Sequence, residues 1–236
     1  MVYRFQSAKN SEVRQVVSAV GRSIDLYGAA LSKEFFPAHL TVALIDAVFN
    51  PRLAYDRVVP IVERYCHRFG LSRLREKGSG LPPMDRQESL SDLIGRYEEF
   101  GLDGMQRVFQ SRNCSPGTRG GTKVLKSDNV KHTAVALRRA GIEILQDMQS
   151  SHPDQIKRVL VPLHGIGDRT VRMLLMYTGN DDLVKGDVHV MRFVSNALGR
   201  RVLAEEAEQL VTDAARELGV APRLLDFKIW EFGANS

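Results

Sequence analysis

A chain of 236 residues, 43% hydrophobic and 26% charged, can bury a sizeable core as one large domain or two small ones, and is neither a fibrous repeat nor a disordered polypeptide. Its two cysteines, Cys66 and Cys114, are too few for a disulfide scaffold, a four-cysteine zinc site or a four-cysteine iron–sulfur cluster. No apolar run approaches the roughly 18 residues of a membrane span and "MVYRFQSAKNSEVRQ" has no apolar signal core, so a soluble, cytoplasmic protein without a membrane partner is expected; the net charge of +5 suits a polyanionic one.

In chain order the apolar period is almost everywhere helical. Val13, Val16, Val17, Val20, Ile24 and Leu31 form a first stripe, with Asn10 and Ser11 as candidate caps. A second helix is predicted from Pro37 to Phe49 and is broken by Pro51. Pro60 falls inside the next pattern (Val59, Ile61, Val62, Tyr65, Phe69), where it either opens a helix in its first turn or kinks one before the stop at Gly70. "KGSGLPPMDRQES", Lys77 to Ser89, reads as a loop. Two shorter helices follow, Leu90 to Phe100 and Met105 to Gln110. After the glycine-rich loop "RNCSPGTRGGTK", Ser127 or Asp128 is expected to cap one long helix running to about Gln149. Helices at Asp154–Val161, Arg169–Thr178, Val188–Leu198, Ala204–Leu218 and Pro222–Phe232 complete an all-α chain of about ten helices without an internal repeat.

In "VPLHGIGDRT" an apolar helix ends, Gly165 and Gly167 turn the chain, and another helix begins near Arg169. Glycines there permit positive φ and close approach, and the first N–H groups of the following helix point outward at the positive end of its dipole. Such a turn can bind a phosphodiester oxygen without a lysine; it can also be a plain link between packed helices. The next apolar segment is opened by Asp187 in "GDVHVMRFVSNALG". Asp is a preferred helix cap, and a fixed carboxylate is also what a reaction with developing positive charge needs.

The form apolar-x-Gly-x-Gly-x-x-Thr, followed by a helix and then an Asp opening another, resembles the helix-hairpin-helix and aspartate signature of the DNA glycosylase superfamily that includes endonuclease III. The hairpin residues are Leu163, Gly165, Ile166, Gly167 and Thr170. "DVHVMRFVSNALG" is similar to the family's Asp-x-His-x-x-Arg-x-x-Asn pattern through Asp187, His189, Arg192 and Asn196, "LKSDNVKHTA" to its Lys-x-x-Asn segment through Lys126 and Asn129, and "LLDFKIWEFG" to its late Trp-bearing helix. The resemblance is strong from Val161 to Gly199 and looser over the rest of Phe36 to Gly233.

What the resemblance implies is two helical lobes with a DNA-binding cleft between them: residues 36–186, containing the hairpin at about 154–178, and residues 1–35 with 187–236. A damaged or mispaired base would be flipped from double-stranded DNA and its N-glycosidic bond hydrolysed, with Asp187 stabilising the oxocarbenium-like sugar and orienting water. Gly165, Ile166, Gly167, Asp168, Arg169 and Thr170 would meet the DNA backbone, with Lys126 and Arg192 as further candidates. The carbonyls of Val161, Leu163 and Ile166 would hold a monovalent cation, Na+ or K+. The expected alternative is a non-catalytic hairpin protein recognising bent or damaged duplex, with Asp187 only a cap.

Three departures from the family bear on chemistry. Arg169 stands where strand-cutting members carry a lysine, and a guanidinium cannot form their imine, so a monofunctional enzyme without lyase activity is expected. The chain stops at Ser236, where cluster-bearing relatives continue with four cysteines, so neither an iron–sulfur cluster nor another required cofactor is expected. "LIDAVFNPRLAYD" places Val48 or a neighbour where relatives carry a gap-filling glutamine, leaving the wedge unassigned. Between Arg112 and Arg139 seven basic residues (Arg112, Arg119, Lys123, Lys126, Lys131, Arg138, Arg139) face one acidic residue, Asp128, a bias that suits a phosphate backbone as well as a solvated face. A monomer is expected.

Overall fold

The computed structural model describes residues 2–118 and 120–234. The chain divides into two compact units, residues 32–179 and residues 1–31 with 180–236. Eleven α-helices and two 3-10 turns, Lys33–Phe35 and Met84–Arg86, account for the regular structure of the described residues. Extended pairing among them is confined to the isolated bridges Pro37 with Leu74 and Cys114 with Leu125. The expected all-α class is therefore the observed one. No helix of the described residues is long and apolar enough to cross a membrane.

The larger unit is organised around α2, Leu40–Phe49, whose ten residues are all buried. "LTVALIDAVF" has no polar face to give to solvent, so it must be enclosed on every side. Four helices pack on it: α3, Tyr55–Phe69; α4, Leu90–Phe109; α5, Lys126–Arg139; and α8, Asp168–Tyr177. Enclosure forces its polar groups to find partners inside. Thr41 donates to Glu88 Oε2 at 2.6 Å, and the buried Glu88 also accepts from the Tyr65 hydroxyl at 2.9 Å and pairs with Arg96 at 3.3 Å. Burial pushes the Glu88 carboxyl upward. Asp46 accepts from the Tyr177 hydroxyl at 2.7 Å. At the C-terminal end of α2, Lys126 Nζ donates to Phe49 O at 2.7 Å and to Pro51 O.

Several helix limits differ from expectation for local reasons. Asn10 and Ser11 lie inside α1, Val2–Ser23, instead of capping it. Pro37 is held extended by its bridge to Leu74, which delays α2 to Leu40. Pro60 sits within α3 on its exposed side. The two short helices read before and after Gly101 are the halves of α4, parted where Gly101 takes φ 67°. The long helix expected from Ser127 to Gln149 is two helices: Gly141, at φ 81°, stops α5, Ile142 N–H folds back to Leu137 O, and α6 starts afresh at Leu145–Ser150. Ser127 and Asp128 lie in the first turn of α5, and the N-cap position belongs to Leu125, which has no capping side chain.

In the smaller unit, α1, α9 (Val188–Leu198), α10 (Ala204–Leu218) and α11 (Pro222–Ala234) share one core. Val16 and Val20 meet Val190, Val194, Leu210, Val211, Leu225 and Ile229, all within 2% of full burial.

Replacing Lys126 by Met strands the Phe49 and Pro51 carbonyls, and should lower stability by about 1–3 kcal/mol. The burial of Lys126, with Arg52 adding to it, drives its ammonium down to about 8 from an ordinary 10.5. Between those values the unfolded chain holds more protons at this site than the folded one, so the site's contribution rises with pH. Urea titrations at pH 7 and about pH 9.5 should show the wild type gaining on Lys126→Met as pH increases.

Candidate nucleic-acid interface and carboxylate site

The hairpin is built by α7, Pro153–Leu160, and α8. Leu163 N–H closes on Leu160 O at 2.9 Å and Ile166 N–H on Leu163 O at 3.1 Å, while the side chains of Ile166 and Thr170 are buried and pin the turn to the core. Gly165 is required twice over. Its φ is 76°, and a Cβ there would run into Ser115 Cβ and lie 2.9 Å from Asn129 Nδ2. Asn129 Nδ2 donates to Ser115 Oγ at 2.6 Å and to His164 O at 2.8 Å, so α5 and the loop before it clamp the turn.

Gly167 differs. Its φ is −99°, and a Cβ there would meet open space. It is the N-cap of α8, and the backbone N–H groups of Gly167, Asp168 and Arg169 make no hydrogen bond among the described residues. These donors, with the positive end of the helix dipole behind them, form an anion-accepting concavity. Arg169 is exposed beside it. Asp168 carries a carboxylate into the same turn, but Lys157 Nζ pairs with it at 2.8 Å and Arg172 Nε at 2.6 Å. Burial alone would raise the Asp168 carboxyl; these two cations hold it below its ordinary range instead.

Lys126 does not join this surface. It is 2% exposed and spends its ammonium on the end of α2, so the assignment of Lys126 to DNA is corrected: a buried cation bonded to two carbonyls cannot reach a phosphate without unmaking the helix end. Of the other basic residues of that stretch, Arg112, Lys123, Arg138 and Arg139 are exposed and Lys131 lies over the Tyr97 ring; Arg119 is outside the described residues.

Asp187 belongs to the smaller unit, at the N-cap of α9. Its Oδ1 accepts from His189 N–H at 2.9 Å and Val190 N–H at 3.2 Å, while Oδ2 lies 3.5 Å from Lys185 Nζ. One oxygen caps the helix and the other is left for an ion. The segment leading in is tightly held: Lys185 N–H donates to Asp226 Oδ1 at 2.9 Å, and Gly186, at φ 59°, packs so closely on Glu208 that a Cβ would overlap its side chain. Burial pushes the Asp226 carboxyl up to about 7, with Asp187 and Glu208 adding to the push and Lys185 opposing it. Arg192 is exposed, yet its NH2 donates to Gly233 O at 2.8 Å and lies 3.3 Å from His189 Nδ1, joining α9 to α11. Ser115, Asp226 and Glu208 went unread in the sequence. Ser115 and Glu208 leave a sequence-level trace in Gly165 and Gly186, which they crowd; Asp226 leaves none.

Over residues 14–234 the chain matches the family model described as Domain of unknown function (DUF8548). The chain belongs to that family. No curated protein matches it. Among solved structures, this DUF8548 chain is similar in fold to MBOgg1 in complex with low affinity DNA ligand, with a TM-score of 0.57 at 15% sequence identity. The likeness covers 83% of this chain and 60% of MBOgg1, so the DUF8548 chain spans less than two thirds of that protein's length.

The two hairpin glycines should respond oppositely to alanine. Gly165→Ala meets both a left-handed backbone and a steric clash, and should cost about 2–5 kcal/mol in a urea titration, whereas Gly167→Ala should stay within about 0.5 kcal/mol. For Asp226, the folded carboxyl keeps a proton up to about 7 that the unfolded one loses near 3.8, so its contribution falls as pH rises through that window and the full cost is present above it. Asp226→Asn keeps an acceptor for Lys185 N–H, and should therefore be more stable than wild type at pH 8, with the difference closing toward pH 4.

Proposed function

We propose that this chain is a DNA glycosylase that binds duplex through its hairpin and hydrolyses the N-glycosidic bond of a damaged or mispaired base. The observation that carries the reading is the clamped Gly165 turn, which leaves the N–H groups of Gly167, Asp168 and Arg169 unpaired at the start of α8. The fold shared with a protein in complex with DNA supports the same partner. Asp187 is the catalytic group in this reading. With the base flipped out, water adds at the sugar carbon as the bond to the base breaks, Asp187 Oδ2 offsets the positive charge on the sugar and takes the water's proton, and the base leaves.

Arg169 supplies positive charge near a phosphate but no nucleophilic amine, and the Lys185 ammonium is engaged by Asp187, so the product in this reading is an intact abasic site. Lys185, ion-paired with Asp187, orients that carboxylate. A monovalent cation would be held by the carbonyls of Val161, Leu163 and Ile166; Leu163 O already accepts the Ile166 N–H and keeps one lone pair for the ion. When bound it would add positive charge at the turn, where a phosphate is expected.

A second reading, a hairpin protein that recognises distorted duplex without chemistry, is favoured by one observation: the hydrogen bonds from His189 and Val190 N–H to Asp187 Oδ1 are both capping bonds.

A panel of lesion-bearing duplexes, incubated with excess protein and then treated with hot alkali, separates the two. Glycosylase action should give alkali-dependent breaks and no borohydride-trapped adduct. Asp187→Asn should then lower excision by about 10²–10³ with affinity for duplex unchanged or higher. Duplex binding without any abasic sites across the panel establishes the non-catalytic reading; loss of duplex binding altogether removes both.

A further inference from the structure

Apart from the hairpin, the larger unit carries a second basic surface, in a groove of about 650 Å3 between α3 and the second half of α4. Two glycines make room for it. Gly101 leaves helical geometry at φ 67° and redirects α4, and Gly104 lies so close to its neighbour that a Cβ would fall 2.8 Å from Phe100 Cβ. On the α3 side Arg64, His67 and Arg68 recur at helical spacing; Arg107 of α4 faces the same groove. Glu63 is the one acidic residue of its lining, and that carboxylate is drawn 3.8 Å from Arg73.

Two of the arginines are already set in place. Arg64 donates through Nε and NH2 to Phe109 O, at 3.0 and 2.7 Å. The Arg68 guanidinium lies 5.3 Å from the centre of the Phe100 ring. The side chains of Arg107 and His67 make no ion pair or hydrogen bond among the described residues. A concave surface with three guanidinium groups and one partly committed carboxylate holds an unbalanced positive charge that an anion would neutralise.

We propose that the α3–α4 groove binds an unpaired nucleic-acid strand, with Arg64, Arg68 and Arg107 on successive phosphates and the Phe100–Arg68 stack against a base. A groove of about 650 Å3 has the size of a ligand pocket, which a flexible single strand can enter and follow, and the combination of guanidinium groups with an aromatic face is what sequence-tolerant strand binding uses. The inference does not depend on the glycosylase reading, since none of its residues belongs to the hairpin or to the Asp187 segment.

The test is fluorescence anisotropy with the full chain and a labelled eight-residue oligothymidylate, over a salt series. Arg68→Ala/Arg107→Ala should weaken binding at least about 10-fold and reduce the salt slope by about 1.4, or about 0.7 for each phosphate left without its cation. Arg107→Lys should remain within about 3-fold of wild type, because the charge persists at a residue that is not stacked, whereas Arg68→Lys should bind more weakly than that, because an ammonium cannot replace the guanidinium plane against Phe100 and a base. Arg107→Glu, at an exposed residue whose side chain has no partner to lose among the described residues, should melt like wild type and bind the strand more weakly than wild type does. A blunt duplex should bind the alanine variant as it binds wild type; Arg169→Glu, at an exposed residue of the hairpin, should conversely weaken duplex binding and keep the strand, so failure of the hairpin reading registers separately. The proposal is overturned if the alanine variant holds the oligothymidylate as wild type does, if duplex affinity falls in parallel with strand affinity, or if polyglutamate of equal length competes as well as the strand, which would make the groove a site for an acidic protein segment.

Discussion

The bonds from Lys126 to the carbonyls of Phe49 and Pro51 set the frame of the larger unit. A helix enclosed on all sides still ends in carbonyls that lack partners, and an apolar surrounding makes each of them costly. Here a cation from the first turn of another helix meets that need. Three residues further on, Asn129 reaches from the same turn of α5 to His164 O and Ser115 Oγ. The start of α5 is thus fastened at once to the end of α2 and to the hairpin, and the shape of the anion-accepting turn is inherited from the need to satisfy a buried helix.

How much of this was legible in the sequence depends on how local the cause is. The helices from Val188 and Ala204 run to Leu198 and Leu218 as their apolar stripes indicate, because each ends at a glycine in the left-handed region, Gly199 and Gly219, and neither relies on distant residues for its limits. The segment from Ser127 to Gln149 misleads for the opposite reason: apolar residues continue past Gly141 in helical period, and only the backbone conformation of that glycine, with Ile142 folded back onto Leu137, breaks the helix. Lys126 is a sharper case. A lysine in a basic run is ordinarily a surface residue, and nothing near it in sequence reports that two carbonyls some 75 residues earlier need a donor.

The candidate site was legible in part for a related reason. "GIGDRT" and "GDVH" carry their own geometry in glycines and a cap, so the turn and the carboxylate can be read directly. Which glycine is obligatory cannot be, since that follows from Ser115 and Asn129 pressing on Gly165 while Gly167 faces open space. The same holds around Asp187: its capping role is local, but the buried Asp226 and Glu208 that hold the preceding segment come from α11 and α10.

The complete enclosure of α2 also has a dynamic consequence. An amphipathic surface helix can fray from one face while its other face stays packed, but α2 has no outer face, its polar side chains Thr41 and Asp46 are bonded to Glu88 and Tyr177, and its last carbonyls are held by Lys126. None of these can be released singly without exposing an unsatisfied group to an apolar interior. The amide hydrogens of α2 should therefore exchange with solvent only when the whole larger unit opens, which makes α2 the slow-exchange core against which motion of the hairpin can be timed.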